Sequence, residues 1–160
     1  MRHVIATALM IGCIAMGAAA SQPRPAATSP KPGIGACSLL TRELVEKVLT
    51  GNKETLKYLK PEEQPIGTHG SFCDYGLILQ VDPFVRHDDL RTSPPKDWQR
   101  VTGVGDTAYF HNNGNRFAEL MVWTGSHHFT IQIGVPAGSS AESIRPNTIT
   151  LANAIIPKLR

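Results

Sequence analysis

The chain has 160 residues, 41% apolar and 18% charged, with a formal net charge of +3. That length suits one domain with tails, and the apolar share excludes a wholly disordered chain. The small, scattered charge and the 6% aromatic content give neither the basic stripe nor the stacking platform of a nucleic-acid binder. With 14 glycines and 12 prolines the chain is rich in turns, which argues against a helical bundle.

The N-terminus reads as an export signal. Met1-Arg2-His3 is a short basic start, Val4 to Met16 is apolar or small, and Ala18-Ala19-Ala20 supplies small residues before Ser21. The apolar run is too short to cross the ~30 Å hydrocarbon core as a helix. Residues 1–20 are therefore expected to be a cleaved signal peptide, placing the mature chain in the periplasm or outside the cell. Leu9-Met10-Ile11-Gly12-Cys13 loosely resembles a lipobox, although the residues after Cys13 stay apolar. Anchoring to a membrane is expected only if Cys13 is acylated.

Loss of residues 1–20 removes Arg2 and Cys13, leaving Cys37 and Cys73. Two cysteines in an exported chain most simply form one disulfide; free thiols or a two-ligand metal site are the alternatives. A bridge closing that loop contributes roughly 4 kcal/mol in the chain-entropy picture. Residues 21–36, with prolines at 23, 25, 30 and 32, read as a stiff, disordered linker, which leaves 37–160 as a single domain.

Within the domain, Leu40 to Leu49 reads as a helix. Thr41 is the N-cap, Glu43 sits in the first turn, Leu44, Val45, Val48 and Leu49 share the apolar face, and Gly51 is the stop. Residues 52–70 are polar, contain Pro61 and Pro65, and are expected to be mostly loop. Phe72 to Val81 alternates as one strand, with Cys73, Tyr75, Leu77, Leu79 and Val81 inward. A second long loop covers 83–100. Strands are expected near 107–111, 116–123 and 127–135, with Asn112-Asn113-Gly114-Asn115 as a hairpin turn. Ile144, Thr148, Leu151, Ala152, Ile155, Ile156 and Leu159 mark a closing helix, in which Pro146 is tolerable near the start and Pro157 distorts only the last turn. The expected fold is α+β: a two-layer sandwich with a four-stranded antiparallel sheet and an N-terminal and a C-terminal helix on one face.

Residues that could carry chemistry do not assemble into a known pattern. Gly103-Val104-Gly105-Asp106 leads into a strand, not a helix, so it reads as a tight turn with Asp106 bonding to local backbone instead of a dinucleotide fingerprint. The weak metal candidates are His87, Asp88 and Asp89 in the second long loop. His127 and His128 open a strand and point to opposite faces, and His111 ends the neighbouring strand. None of these has the ligand spacing of a zinc site. Ser139-Ser140 lacks a nucleophile elbow, and Glu62-Glu63 reads as solvated. No cofactor and no catalysis are expected. Trp98, Trp123 and Arg100 have the composition of an interaction hot spot.

Taken in order, Cys37-Ser38-Leu39-Leu40-Thr41 opening a helix, Cys73-Asp74-Tyr75, Gly103-Val104-Gly105-Asp106-Thr107-Ala108-Tyr109 and Leu151-Ala152 resemble a broad family of small exported bacterial domains of unknown function, many of them lipoproteins. The resemblance spans about residues 37–159 and implies export, a Cys37–Cys73 bridge and an α+β fold. It assigns no catalytic or binding residue. The expectation is a non-enzymatic cell-envelope or secreted module whose partner is an envelope or extracellular protein. The alternative is a small-ligand or metal carrier that uses the open sheet face or the 83–100 loop.

Overall fold

The computed structural model describes residues 34–49, 59–67, 70–82, 88–114 and 116–160. The expected signal peptide, Cys13, most of the expected linker, Gly51 and His87 lie outside these residues.

Among the described residues the fold is an α+β arrangement around one antiparallel sheet of seven strands, in the order β1-β2-β3-β7-β6-β5-β4. The strands are β1 (Glu62–Ile66), β2 (Gly70–Asp74), β3 (Ile78–Val81), β4 (Gln99–Arg100), β5 (Thr107–Asn113), β6 (Phe117–Thr124) and β7 (His127–Gly134). Four α-helices accompany it: α1 (Ala36–Leu39), α2 (Arg42–Val48), α3 (Asp88–Thr92) and α4 (Ala141–Ile155), the last continuing as a 3-10 turn over Ile156–Lys158.

The expected four-stranded sheet is thus overturned. The single strand read over 72–81 is a hairpin: Tyr75 N–H donates to the Leu77 carbonyl, and Asp74 accepts from Gly76 N–H, so the chain reverses at Gly76 (φ 72°). Two further strands come from segments read as loops. β1, Glu-Glu-Gln-Pro-Ile, is an almost wholly exposed edge strand. Its charges and Pro65 suit an edge, where one side of the strand has no ladder to complete. β4 closes the other edge with two residues.

One face of the sheet carries the main core. Leu79 and Val81 on β3, Phe129, Ile131 and Ile133 on β7, Ala118, Leu120 and Val122 on β6, and Ala108 and Phe110 on β5 are all buried there. Leu39, Val45, Val48, Leu151, Ala152 and Ile155 from α1, α2 and α4 cover them. Each large side chain so buried contributes about 1.5–3 kcal/mol relative to exposure.

The helices are tied to the sheet and to one another. The Cys37–Cys73 disulfide (Cα–Cα 5.0 Å) joins α1 to β2. Beside it, the Ser71 hydroxyl accepts the Ala36 N–H and donates to the Ile34 carbonyl, so Ile34–Ala36 pack on the domain instead of forming the end of a linker. Thr41 caps α2 by accepting the Leu44 N–H at 3.3 Å. Asn147 of α4 donates to the Val48 carbonyl, and Lys158 donates to that of Leu39. The C-terminal segment thereby satisfies carbonyls that the two short N-terminal helices leave open. Ser140 caps α4, which carries Pro146 in its second turn.

Candidate functional site

The face away from α1, α2 and α4 is built from the other half of each strand's alternation. Tyr109 and His111 on β5, Glu119, Met121 and Trp123 on β6, and His128, Thr130 and Gln132 on β7 point this way, as their register requires. A strap, residues 88–98, lies over part of it. Leu90 of α3 and Trp98 at the strap's end pack against Tyr109, Met121 and Trp123, and the Tyr109 hydroxyl donates to the Arg91 carbonyl at 3.3 Å. The result is a small second core of aromatic rings.

Both tryptophans of the chain stack on a histidine. Trp98 lies over His111 with centroids 5.3 Å apart and planes at 25°, and Trp123 lies over His128 at 4.8 Å and 20°. Tyr109 meets Trp98 at a tilt and Trp123 edge-on. Trp123 and His128 are wholly buried. Trp123 is therefore part of the foundation beneath the strap and is not exposed to a partner. Its indole N–H has no hydrogen-bond acceptor among the described residues. Trp98 is half-buried, and Arg100 is exposed on β4.

The two histidines of this face are held apart. His111 pairs with Glu119 and His128 with Trp123, four residues further along β6. That separation is about 13 Å at the rise of a strand. His127 instead turns to the sheet's end, where its Nδ1 lies 2.6 Å from Asp82 Oδ2. The second Asp82 oxygen accepts the His128 N–H at 2.9 Å. Asp82 has φ 45°, the left-handed conformation that acidic residues tolerate better than most. His111 faces two carboxylates: Nε2 is 3.4 Å from Asp97 and Nδ1 is 3.9 Å from Glu119.

The remaining sequence candidates fall elsewhere. Asp88 and Asp89 are exposed in the first turn of α3, and among the described residues no group of three or more histidines, cysteines or acids could hold a metal ion. Glu62 and Glu63 are exposed on β1, and Ser140 is spent as a cap. The Gly103–Asp106 segment is a turn with both glycines at positive φ, but Asp106 does not bond locally. It accepts the Gly125 N–H at 2.7 Å, and its own N–H donates to the Trp123 carbonyl, so the turn supports the β6–β7 hairpin 19 residues away. The one large apolar residue exposed among the described residues is Phe117, at the far end of β6.

Sequence reasoning missed the strap's role. The available signal was Leu90 and Trp98 in an otherwise polar loop, opposite a strand face carrying Tyr109, Met121 and Trp123. No helix among the described residues is long and apolar enough to cross a membrane. Comparison of the chain with protein-family models, with curated proteins and with solved structures returned no match.

Proposed function

We propose that the chain is an exported cell-envelope or secreted domain that works by binding an envelope or extracellular protein, not by catalysis, and that residues 88–100 present its contact surface. The observation that carries this reading is the construction of the strap. Leu90 and Trp98 anchor it from below, while Asp88, Asp89, Lys96 and Asp97 are exposed on it and Arg100 is exposed just beyond it on β4. An anchored loop with a charged outer side offers a preformed surface at low entropic cost. Arg100 and Lys96 are the expected contacts, with Trp98 and Trp123 fixing the platform under them. The Cys37–Cys73 bridge is compatible with the oxidising compartment that export implies.

Native mass spectrometry of the chain recovered from its own host's envelope tests this. The expected result is a chain beginning at Ser21, two hydrogens lighter than its reduced mass, in a complex of defined stoichiometry. Lys96→Glu combined with Arg100→Glu should abolish the complex while leaving the cleavage site and the disulfide of the chain unchanged. A free chain, or a complex indifferent to both substitutions, would contradict the proposal.

A further inference from the structure

Ile66 on β1, Phe72 on β2, Ile78 on β3 and Phe117 on β6 are the large apolar side chains of the seven strands that join neither core. The first three are half-buried and Phe117 is exposed. Register puts all four on the face that carries the strap, away from the Tyr109, Met121 and Trp123 side chains that it covers. They lie on one diagonal. Phe72 is diagonal to Ile66 across β1 and β2, Ile78 to Phe72 across β2 and β3, and Gly134 to Ile78 across β3 and β7; Phe117 then stands directly opposite Gly134. Gly134 has open space where a β-carbon would go, so no side chain interrupts the line there. From strand spacing and rise, the stripe is roughly 25–30 Å long.

The flanks of this stripe carry one sign of charge. Glu62 and Asp74 share a cross-strand row with Ile78, and Glu119 continues that row on β6. Gln64, Gln80 and Gln132 fill the positions between. Arg100, on the far edge, is the one lysine or arginine within the seven strands, and Lys60 and Arg116 stand just outside strand ends. In a chain of net charge +3, this half of the sheet is therefore a local excess of carboxylate beside apolar surface. Such a field repels phosphate-bearing partners, and a second copy laid face to face would set the same carboxylates against one another. A helix with an apolar stripe and lysine or arginine along its borders matches both features, and about 18 residues of it span the length.

We propose that the open half of the sheet is a docking site for a basic amphipathic helix of a partner protein, seated along Ile66, Phe72, Ile78 and Phe117 with its cations against Glu62, Asp74 and Glu119. The site is separate from residues 88–100 and does not depend on the strap being a contact surface.

The test is fluorescence anisotropy with the full chain and a labelled helical peptide of about 18 residues, with leucines along one face and lysines elsewhere, against the same peptide with glutamate for lysine. The expected result is binding of the lysine peptide at least about ten-fold tighter than the glutamate peptide, weakening as salt rises. Ile78→Thr and Phe117→Ser should each weaken it about three- to ten-fold, and Glu62→Lys should weaken it and flatten its salt dependence. Glu62 and Phe117 are exposed, so those two variants test the site even if Ile78→Thr fails to fold. Lys96→Glu combined with Arg100→Glu should not weaken binding, which separates this site from the strap. Equal affinity for the two peptides, binding indifferent to Phe117→Ser and Glu62→Lys, or binding of a neutral chito-oligosaccharide in place of the lysine peptide would overturn the proposal.

Discussion

Gly105 lies against the backbone of Trp123: a β-carbon at position 105 would sit 2.6 Å from the Trp123 carbonyl oxygen and 2.8 Å from a Val122 methyl. Gly105 is also at φ 57°, where side chains are strained. Gly105→Ala is therefore expected to lower stability by about 2–4 kcal/mol in urea unfolding, combining the clash with the strained φ. Gly103, at φ 76°, has open space where its β-carbon would go. Gly103→Ala should cost only about 1–2 kcal/mol, from the conformation alone. Equal costs at the two positions would contradict the close approach of the turn to β6.

That turn also shows what the sequence could and could not reveal. Glycines in a Gly-x-Gly-Asp stretch before a strand announce positive φ, but the partner of Asp106 is set by tertiary packing and is invisible locally. The hairpin between β2 and β3 was hidden for a different reason. Cys73 pairs with Leu79 across it, and both carry odd numbers, so alternation of inward and outward residues runs unbroken through the reversal. A period-two reading sees one long strand; the Asp74-Tyr75-Gly76 turn chemistry was the only cue. β1 lacks any apolar alternation because little covers it, and β4 is too short to leave a pattern. The helix behind Thr41, the strands of the β5–β7 meander and the closing helix were legible because each buries a regular apolar face.

Asp82 gathers two bonds at the point where the chain leaves the sheet. Replacing it with Ala loses the His127 contact, leaves the His128 N–H without its acceptor and keeps the positive φ, for a cost of about 2–4 kcal/mol. Asp82→Asn keeps an acceptor and tolerates the conformation, and should recover at least half of that loss. Chemical unfolding of the two variants gives the comparison.

The disulfide and the Ser71 bonds fasten α1 to the same strand. Replacing both Cys37 and Cys73 with Ala should lower stability by about 2–5 kcal/mol. Exchange protection should fall first in α1, which has only four residues of its own. Uniform loss across the sheet with α1 still protected would contradict the bridge as the main fastening of that helix.

At the start of α2, the hydrogen bonds from the Glu43 backbone N–H and from Thr41 hold the Glu43 carboxyl below the usual carboxylate range. A carboxylate lowered on folding adds stability above its unfolded pKa and loses it as pH falls through the folded value. The stability difference between the natural chain and Glu43→Gln should therefore be present at neutral pH and disappear under acid conditions. A difference unchanged from neutral to strongly acid pH would remove the charge from the account of this cap.

The most direct test of the strap as a contact surface is site-specific photocrosslinking in the host. A photoreactive residue is placed at position 100 on β4, or at position 153 on the exposed side of α4 behind the sheet. The account predicts one discrete crosslinked species from position 100, lost when Lys96 is changed to Glu, and none from position 153. A species from position 153 alone, or the same species from both, would contradict it.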